Sequence, residues 1–391
     1  MITPSLNRHD KYFPRPGSGK GYKASEYIFP IVLMLNGGGR SLEDIRVIRD
    51  DIGLREILPL QNIPTSDAIG DWLRRVGITG GLSGLEKANQ KLLKRGMKYD
   101  GIKSYTLTGI EAEKESAKMT YKGFKGYMPI VGHLAKNGLV VGEEFREGNV
   151  PPAKRNLEFI KYCIKQIPNG KKIKRFRADS ASYQADIINF CDKKGIEFAI
   201  GCDLDEAVLR AIQAIPEHEW ISYKDGHIAE TIHCMNKSEK SFRLIILRRP
   251  YQAKMFDKDD MRLRYTVIAT NINGSAEEVL MWYNQRGNTS ENRIKDLKIG
   301  FGMERMPCGQ TQANSVFFRI GALSYNIYRL FLIKTLDESW HKHQVQTVRW
   351  RLYQVAGKIV DHSNRVFLKV RRIYYNLFAK IRLRIWEFAN T

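Results

Sequence analysis

Apolar and polar positions change their period twice along this chain. From Tyr27 to Asn36 nearly every position is apolar, and the run stops at Gly37-Gly38-Gly39, which predicts a buried helix with a glycine stop. Ser41 then precedes Leu42-Glu43-Asp44, with Asp44 placed to complete a capping box. Ser66 precedes an amphipathic stretch, Asp67 to Arg75, that ends on two arginines. From about residue 103 the period falls to two. Ser104–Ile110, Met128–Leu134 and Leu139–Phe145 read as strands, and a helix is expected from Lys154 to Gln166. Lys172 to Ala178 alternates basic and apolar residues as a strand laid on a core should, and it delivers Asp179 at its end. Ser180 opens a predicted helix through Cys191, closed by Lys193-Lys194-Gly195, and Ile196–Ile200 is a short apolar strand. Three strands followed by helix, strand, helix, strand make an α/β pattern.

The alternation breaks again at residue 217. His227–Cys234, Phe242–Arg248 and Leu263–Thr270 predict a β-rich insertion. From Asn314 the period returns to helical, with Phe317, Phe318, Ile320, Leu323, Ile327, Leu330 and Phe331 on one apolar face; these aromatics are expected to fill a core. Leu368 to Trp386 interleaves basic and aromatic residues and reads as one helix. The expected organisation is a helical region over residues 1–100, an α/β core in two pieces (101–216 and 273–312) around the insertion at 217–272, and a basic helical region over 313–391. The first region suits DNA reading by short helices joined at Gly and Pro turns, or a plain packing role.

Charge sharpens the choice of partner. The 391 residues carry a formal net charge of +22, with 43% hydrophobic residues, enough for a real core. A polyanionic partner, most simply double-stranded DNA, fits that excess. The stretch from His341 onward is strongly basic, with Asp361 and Glu387 as its acids. Cys163, Cys191, Cys202, Cys234 and Cys308 show no Cys-x-x-Cys spacing, so a zinc site is not expected, and the pattern suits a reducing cytoplasm. The run Tyr27–Leu35 contains Pro30 and falls short of the ~20 residues a membrane span needs, so no membrane association is expected.

The chemistry concentrates in Tyr283 to Lys298. This stretch holds Tyr283, Arg286, Glu291, Lys295 and Lys298, and Ser290 is a candidate N-cap that puts Glu291 in a first helical turn. Alone, Glu291 could merely favour the helix dipole, and the cations could be a surface ion-pair ladder. Together with Asp179, whose strand end opens toward one edge of the sheet, they form carboxylates with flanking cations. That combination suits metal-assisted phosphoryl transfer on DNA.

The same residues resemble the bacterial insertion-sequence DDE transposases of the Tyr-Arg-Glu-Lys signature group. The narrower likeness is to a subgroup with the blocks Tyr121-Lys-Gly-Phe-Lys-Gly-Tyr127, Arg177-Ala-Asp-Ser180 and Glu291-Asn-Arg-Ile-Lys295; Gly300 to Cys308 and Tyr325-Asn326 extend it. The resemblance implies an RNase H-like catalytic core with a β-rich insertion, flanked by helical N- and C-terminal regions. It implies that Asp179 and Glu291 bind Mg²⁺ (Mn²⁺ substituting), and that Tyr283, Arg286 and Lys298 contact DNA, with Lys295 beside them. It also implies a homodimer that joins two element ends, in the bacterial cytoplasm on the nucleoid. One block is missing. The family's first strand ends Leu-Asp-x-Asp-x-Thr, whereas this chain runs Tyr105-Thr-Leu-Thr-Gly-Ile110 into Glu111-Ala-Glu113. The third metal ligand is therefore unassigned, with Asp100, Glu111 and Glu113 as candidates. Two functions follow: an active transposase, or a DNA-binding protein of transposase ancestry with impaired cleavage.

Overall fold

A computed structural model describes residues 10–14, 19, 21–58, 62–98, 100–111, 114–119, 125–252, 261–287, 292–363 and 365–390. Glu113, the block 121–124, Ser290 and Glu291 lie outside the described residues, as do the side chains of Ile110 and Glu111.

Nine strands form one mixed sheet. Strand β1 (Ser104–Glu111) precedes a small separate pair, β2 (Lys114–Met119) and β3 (Lys125–Tyr127). Then come β4 (Ile130–Leu134), β5 (Val140–Glu144), β6 (Lys172–Ala178) and β7 (Glu197–Gly201). The predicted insertion supplies β8 (Ile221–Tyr223), β9 (Gly226–His233), β10 (Phe242–Gln252) and β11 (Met261–Thr270). The sheet order is β5-β4-β1-β6-β7-β11-β10-β9-β8. β6 runs parallel to both β1 and β7, and β4 lies antiparallel to β1. The insertion strands therefore continue the sheet past β7, where Ile268 pairs with Gly201 and Thr270 with Ala199.

Strand alternation assigns each face. Leu107, Phe176, Phe198 and Ile200 belong to the core covered by helices α1 (Asn156–Lys165) and α2 (Ala185–Lys194). Ala199, Ile245, Leu247 and Ile268 pack on the other face with Val279, Leu280 and Tyr283 of α3 (Ala276–Arg286). Ser275 starts α3 with a capping box: its hydroxyl accepts the Glu278 N–H at 3.2 Å, and Glu278 accepts the Ser275 N–H.

The helical regions at the two ends share one core. Tyr27, Ile31, Leu35, Trp72, Leu73 and Val76 of the N-terminal helices pack with Phe317, Phe318, Leu323 and Tyr325 of α4 (Thr311–Thr335). Phe13, in the Pro/Gly-rich arm, is buried there beside Trp72 at a 6.3 Å ring separation. α4 has the length and apolar composition of a membrane span, but most of it is buried inside the protein. It also braces the sheet edge. Asn326 accepts the Val140 N–H and donates to the Val140 carbonyl, both at 2.7 Å, so an amide side chain satisfies a strand that has no further neighbour.

Three expected elements differ. Ser180–Cys191 is not one helix: Ser180–Ser182 forms a single 3₁₀ turn and α2 starts at Ala185, because Tyr183 is turned into the core. The helix expected from Asp67 starts one residue earlier, at Ser66, and runs on to Ile78; Thr65 caps it, accepting the Ala68 N–H, while the Ser66 hydroxyl donates to Glu43. Leu368–Val370 is not helical. Gly357–His362 pairs with Arg365–Val370 as a hairpin, and the last helix runs from Arg372 to Asn390. Basic and apolar residues that alternate over so short a stretch fit either period.

Candidate active site

The parallel strands β6 and β7 end side by side, and that shared end gathers the polar residues. Asp179 follows the last residue of β6 in extended backbone and is half-buried. Burial raises its carboxyl pKa above the ordinary value, and the neighbouring Asp203 pushes the same way. The Arg286 guanidinium and the Ala181 N–H act against them. Tyr283 is buried, and a methyl placed on Gly201 would stand 2.7 Å from its hydroxyl oxygen and 3.5 Å from the Ser180 nitrogen. The tyrosine hydroxyl therefore lies over the end of β7 beside the Asp179–Ser180 peptide. Glycine at 201 leaves it room. The Arg286 guanidinium is 5.5 Å from the Tyr283 ring centre. Burial raises the Tyr283 pKa, as does Asp179, while Arg286 lowers it. Asp179, Tyr283 and Arg286, expected together from the sequence, are brought together.

The next helical segment carries the lysines. Asn292–Lys295 is α-helical and runs into a π-helical turn, Asp296–Gly300. The wider turn rotates Lys298 away from the face Lys295 occupies, so Lys295 is exposed and Lys298 half-buried.

On the sheet face below α3, β1 presents Thr108 to Arg177. Both are buried, and Arg177 donates Nε–H to the Thr108 hydroxyl at 3.3 Å and a second N–H to the Trp282 carbonyl at 2.7 Å. Burial, then repulsion by Arg293 and Arg286, lowers the Arg177 pKa to about 10. Arg293 is likewise lowered to about 10, chiefly by burial, and donates to the carbonyls of Leu134 and Ala135. His133, buried among Arg293, Arg177 and Arg329, is held well below its ordinary value, chiefly by burial. The face between β1, β6 and α3 is therefore cationic, and at Asp179 itself the Arg286 guanidinium is set against the like-charged Asp203.

The candidates for a third ligand fare differently. Asp100 accepts from Lys171 at 2.6 Å, from the Ile102 N–H at 3.0 Å and from the Tyr105 hydroxyl. It sits before β1, at the start of the parallel strands, roughly 25 Å along β6 from Asp179. A residue at that distance cannot share an ion with Asp179. Glu111 is the last residue of β1, its backbone paired with Ile130. Glu113, like Glu291, is outside the described residues. Among the described residues no group of three His, Cys, Asp or Glu could hold a metal ion. Hard divalent ions favour carboxylate cages. Asp203 adds negative charge near Asp179, and among the described residues no third carboxylate joins the two.

Sequence reading missed Arg177, Thr108, Gly201 and Asp203. Asp203 follows a strand end as Asp179 does, and the same reasoning applied to Ile196–Ile200 would have found it. The pairing of Thr108 with Arg177 depends on the β1–β6 register, which no local pattern encodes.

No curated protein matches the chain. Residues 106–387, from β1 into the last helix, match the family model described as Transposase DDE domain group 1. With most of its length inside that match, and with Asp179 at the strand end that opens beside Tyr283 and Arg286, the chain belongs to the DDE-domain transposase family.

Proposed function

We propose that this protein is a DNA transposase that binds the ends of an insertion sequence and acts on their phosphodiesters at the β6–β7 strand end. The observation that carries the reading is the meeting of Asp179, Tyr283 and Arg286 at that end, beside the buried cations Arg177 and Arg293. The strand order β5-β4-β1-β6-β7, with β1, β6 and β7 parallel, supports an RNase H-like core, extended at β7 by the insertion. In this reading Arg286, Lys295 and Lys298 hold DNA phosphates, and the Tyr283 ring packs beside the Arg286 guanidinium near Asp179. Asp179 and Glu291 are the proposed ligands of Mg²⁺, with Mn²⁺ as substitute. The described residues do not complete that cage, so no step is routed through the ion. Two element ends must be held at once, which favours a homodimer working on the bacterial nucleoid in the cytoplasm.

One observation favours a second reading. Thr108 stands on β1 beside Arg177, at a face where this chemistry calls for a carboxylate. On that ground the chain is a DNA-binding member of the family with impaired cleavage. A labelled duplex carrying the element's own end, incubated with the full-length protein in Mg²⁺ and in Mn²⁺, separates the two. A nick at the element boundary that disappears in Asp179→Ala supports the transposase. A shifted duplex without a nick supports the binding protein. Absence of any shift contradicts both.

A further inference from the structure

The DNA-facing segment Asn292–Gly300 is fastened from behind by a residue outside the site. Arg349 is buried, 7% exposed, and lies where the short helix Val345–Val348 runs into a second π-helical turn, Arg349–Tyr353. Its guanidinium donates three hydrogen bonds of 2.7 Å, to the carbonyls of Leu35, Asn36 and Gly300. Leu35 and Asn36 belong to the last turn of the helix Ala24–Gly37, and Gly300 is the last residue of the π turn that carries Lys298. Carbonyls at helix C-termini lack helical partners and form the negative end of the dipole, so one cation satisfies both ends together.

Neighbouring contacts make the seat specific. The guanidinium lies 5.2 Å from the Phe301 ring centre. Gly38, at φ +106°, turns the chain away next to the Arg349 side chain. Asp296 accepts the Val345 N–H at 3.4 Å, and a side chain at Gly300 would collide with Val345. A π turn forgoes regular α-helical hydrogen bonding, and here Arg349 satisfies its terminal carbonyl. A lysine offers one nitrogen and cannot reproduce a three-way fork.

We propose that Arg349 is a positioning residue: it joins the N-terminal helix to the π turn and thereby sets where Lys298 meets DNA. The inference rests on the DNA-binding role given above to Lys298. Arg349 itself is too buried to touch a phosphate, so any effect on DNA must pass through the segment it holds.

Two measurements on the full-length protein test it. The first is binding of a short labelled duplex over a range of salt concentrations. Lys298→Ala should lower the slope of log affinity against log salt by about 0.9, one phosphate contact. Arg349→Met should lower it by the same amount, the double variant should lower it no further, and Arg349→Lys should recover part of it. The second is amide hydrogen exchange without DNA. Arg349→Met should speed exchange within Asp296–Gly300 by at least roughly tenfold, with the sheet unaffected. If Arg349→Met does not fold, Arg349→Lys should show the same effects at smaller size. Unchanged exchange in Asp296–Gly300, or slope losses that add in the double variant, would overturn the proposal. If Lys298→Ala leaves the slope unchanged, the DNA role of Lys298 fails, and the exchange result still decides whether Arg349 holds the turn.

Discussion

Asp179 is held in a state that costs the folded protein something. Burial lifts its pKa, so the ionised form is less favoured in the native state than in the unfolded chain. For a carboxylate shifted upward, the cost is fully present above the native pKa and disappears as pH falls below the unfolded value of 3.8. Asp179→Asn should therefore raise the melting temperature at neutral pH, with the gain fading as the scans move below that value. A lower melting temperature for the variant at pH 7 would mean that the carboxylate is a structural group. Gly201 gives a second test at this scale. A methyl there meets the Tyr283 hydroxyl at 2.7 Å, so Gly201→Ala should cost roughly 1–3 kcal/mol in urea unfolding or displace the tyrosine, and weaken DNA binding with it. Single residues were legible where chemistry and position coincide: Asp179 closes an alternating strand, and Tyr283 and Arg286 lie one helical turn apart. Thr108 and Arg177 were not, because their meeting depends on strand pairing across 69 residues.

Elements were legible in proportion to the clarity of their period. The strands of the central sheet were placed to within about two residues, by alternation in Lys172–Ala178 and by short apolar runs where both faces are buried, as in Ile130–Leu134. β8 has three residues and no readable pattern, and Leu368–Val370 fits strand and helix equally. The start of the amphipathic helix was placed to within one residue, and its cap, Thr65, was not singled out. The Tyr325-Asn326 pair, part of the family likeness, takes its meaning from packing. Asn326 mimics a neighbouring strand for β5 and also donates to Asn89 at 2.7 Å. Asn326→Leu leaves the Val140 N–H without its partner, at roughly 1–3 kcal/mol, and leaves the Val140 carbonyl only the longer bond from the Asn89 amide at 3.4 Å. Urea titration measures that loss, and a neutral substitution would mean the edge is satisfied another way. The Gly300-Phe301-Gly302-Met303 block is similar. Phe301 packs on Tyr325 and Tyr328 at 5.7 and 5.6 Å ring separations, and Gly321 opens the slot that Met303 fills.

At the scale of the whole molecule, the two ends of the chain are halves of one helical body. The N-terminal helices bury Trp72, Leu73 and Leu35 against α4, more than two hundred residues away in sequence. Sequence periodicity marks an apolar face and does not name its partner, so residues 1–100 and 313–391 read as separate regions. A fragment of residues 1–100 should therefore remain unfolded or molten in isolation, with poor amide dispersion by NMR, and should gain structure when a fragment spanning residues 292–390 is added. A well-dispersed spectrum for residues 1–100 alone would contradict the shared core. The same architecture fixes the N-terminal helix, the π turn and the sheet end relative to one another, so the cationic edge is set by the fold as a whole. The most direct test of that edge is amide hydrogen exchange of the full-length protein with and without an element-end duplex. Slowed exchange at Ser180–Ser182, Asn284–Arg286 and Lys295–Lys298 is the predicted result. Protection confined to other surfaces, with these segments unchanged, would contradict a DNA site at the β6–β7 strand end.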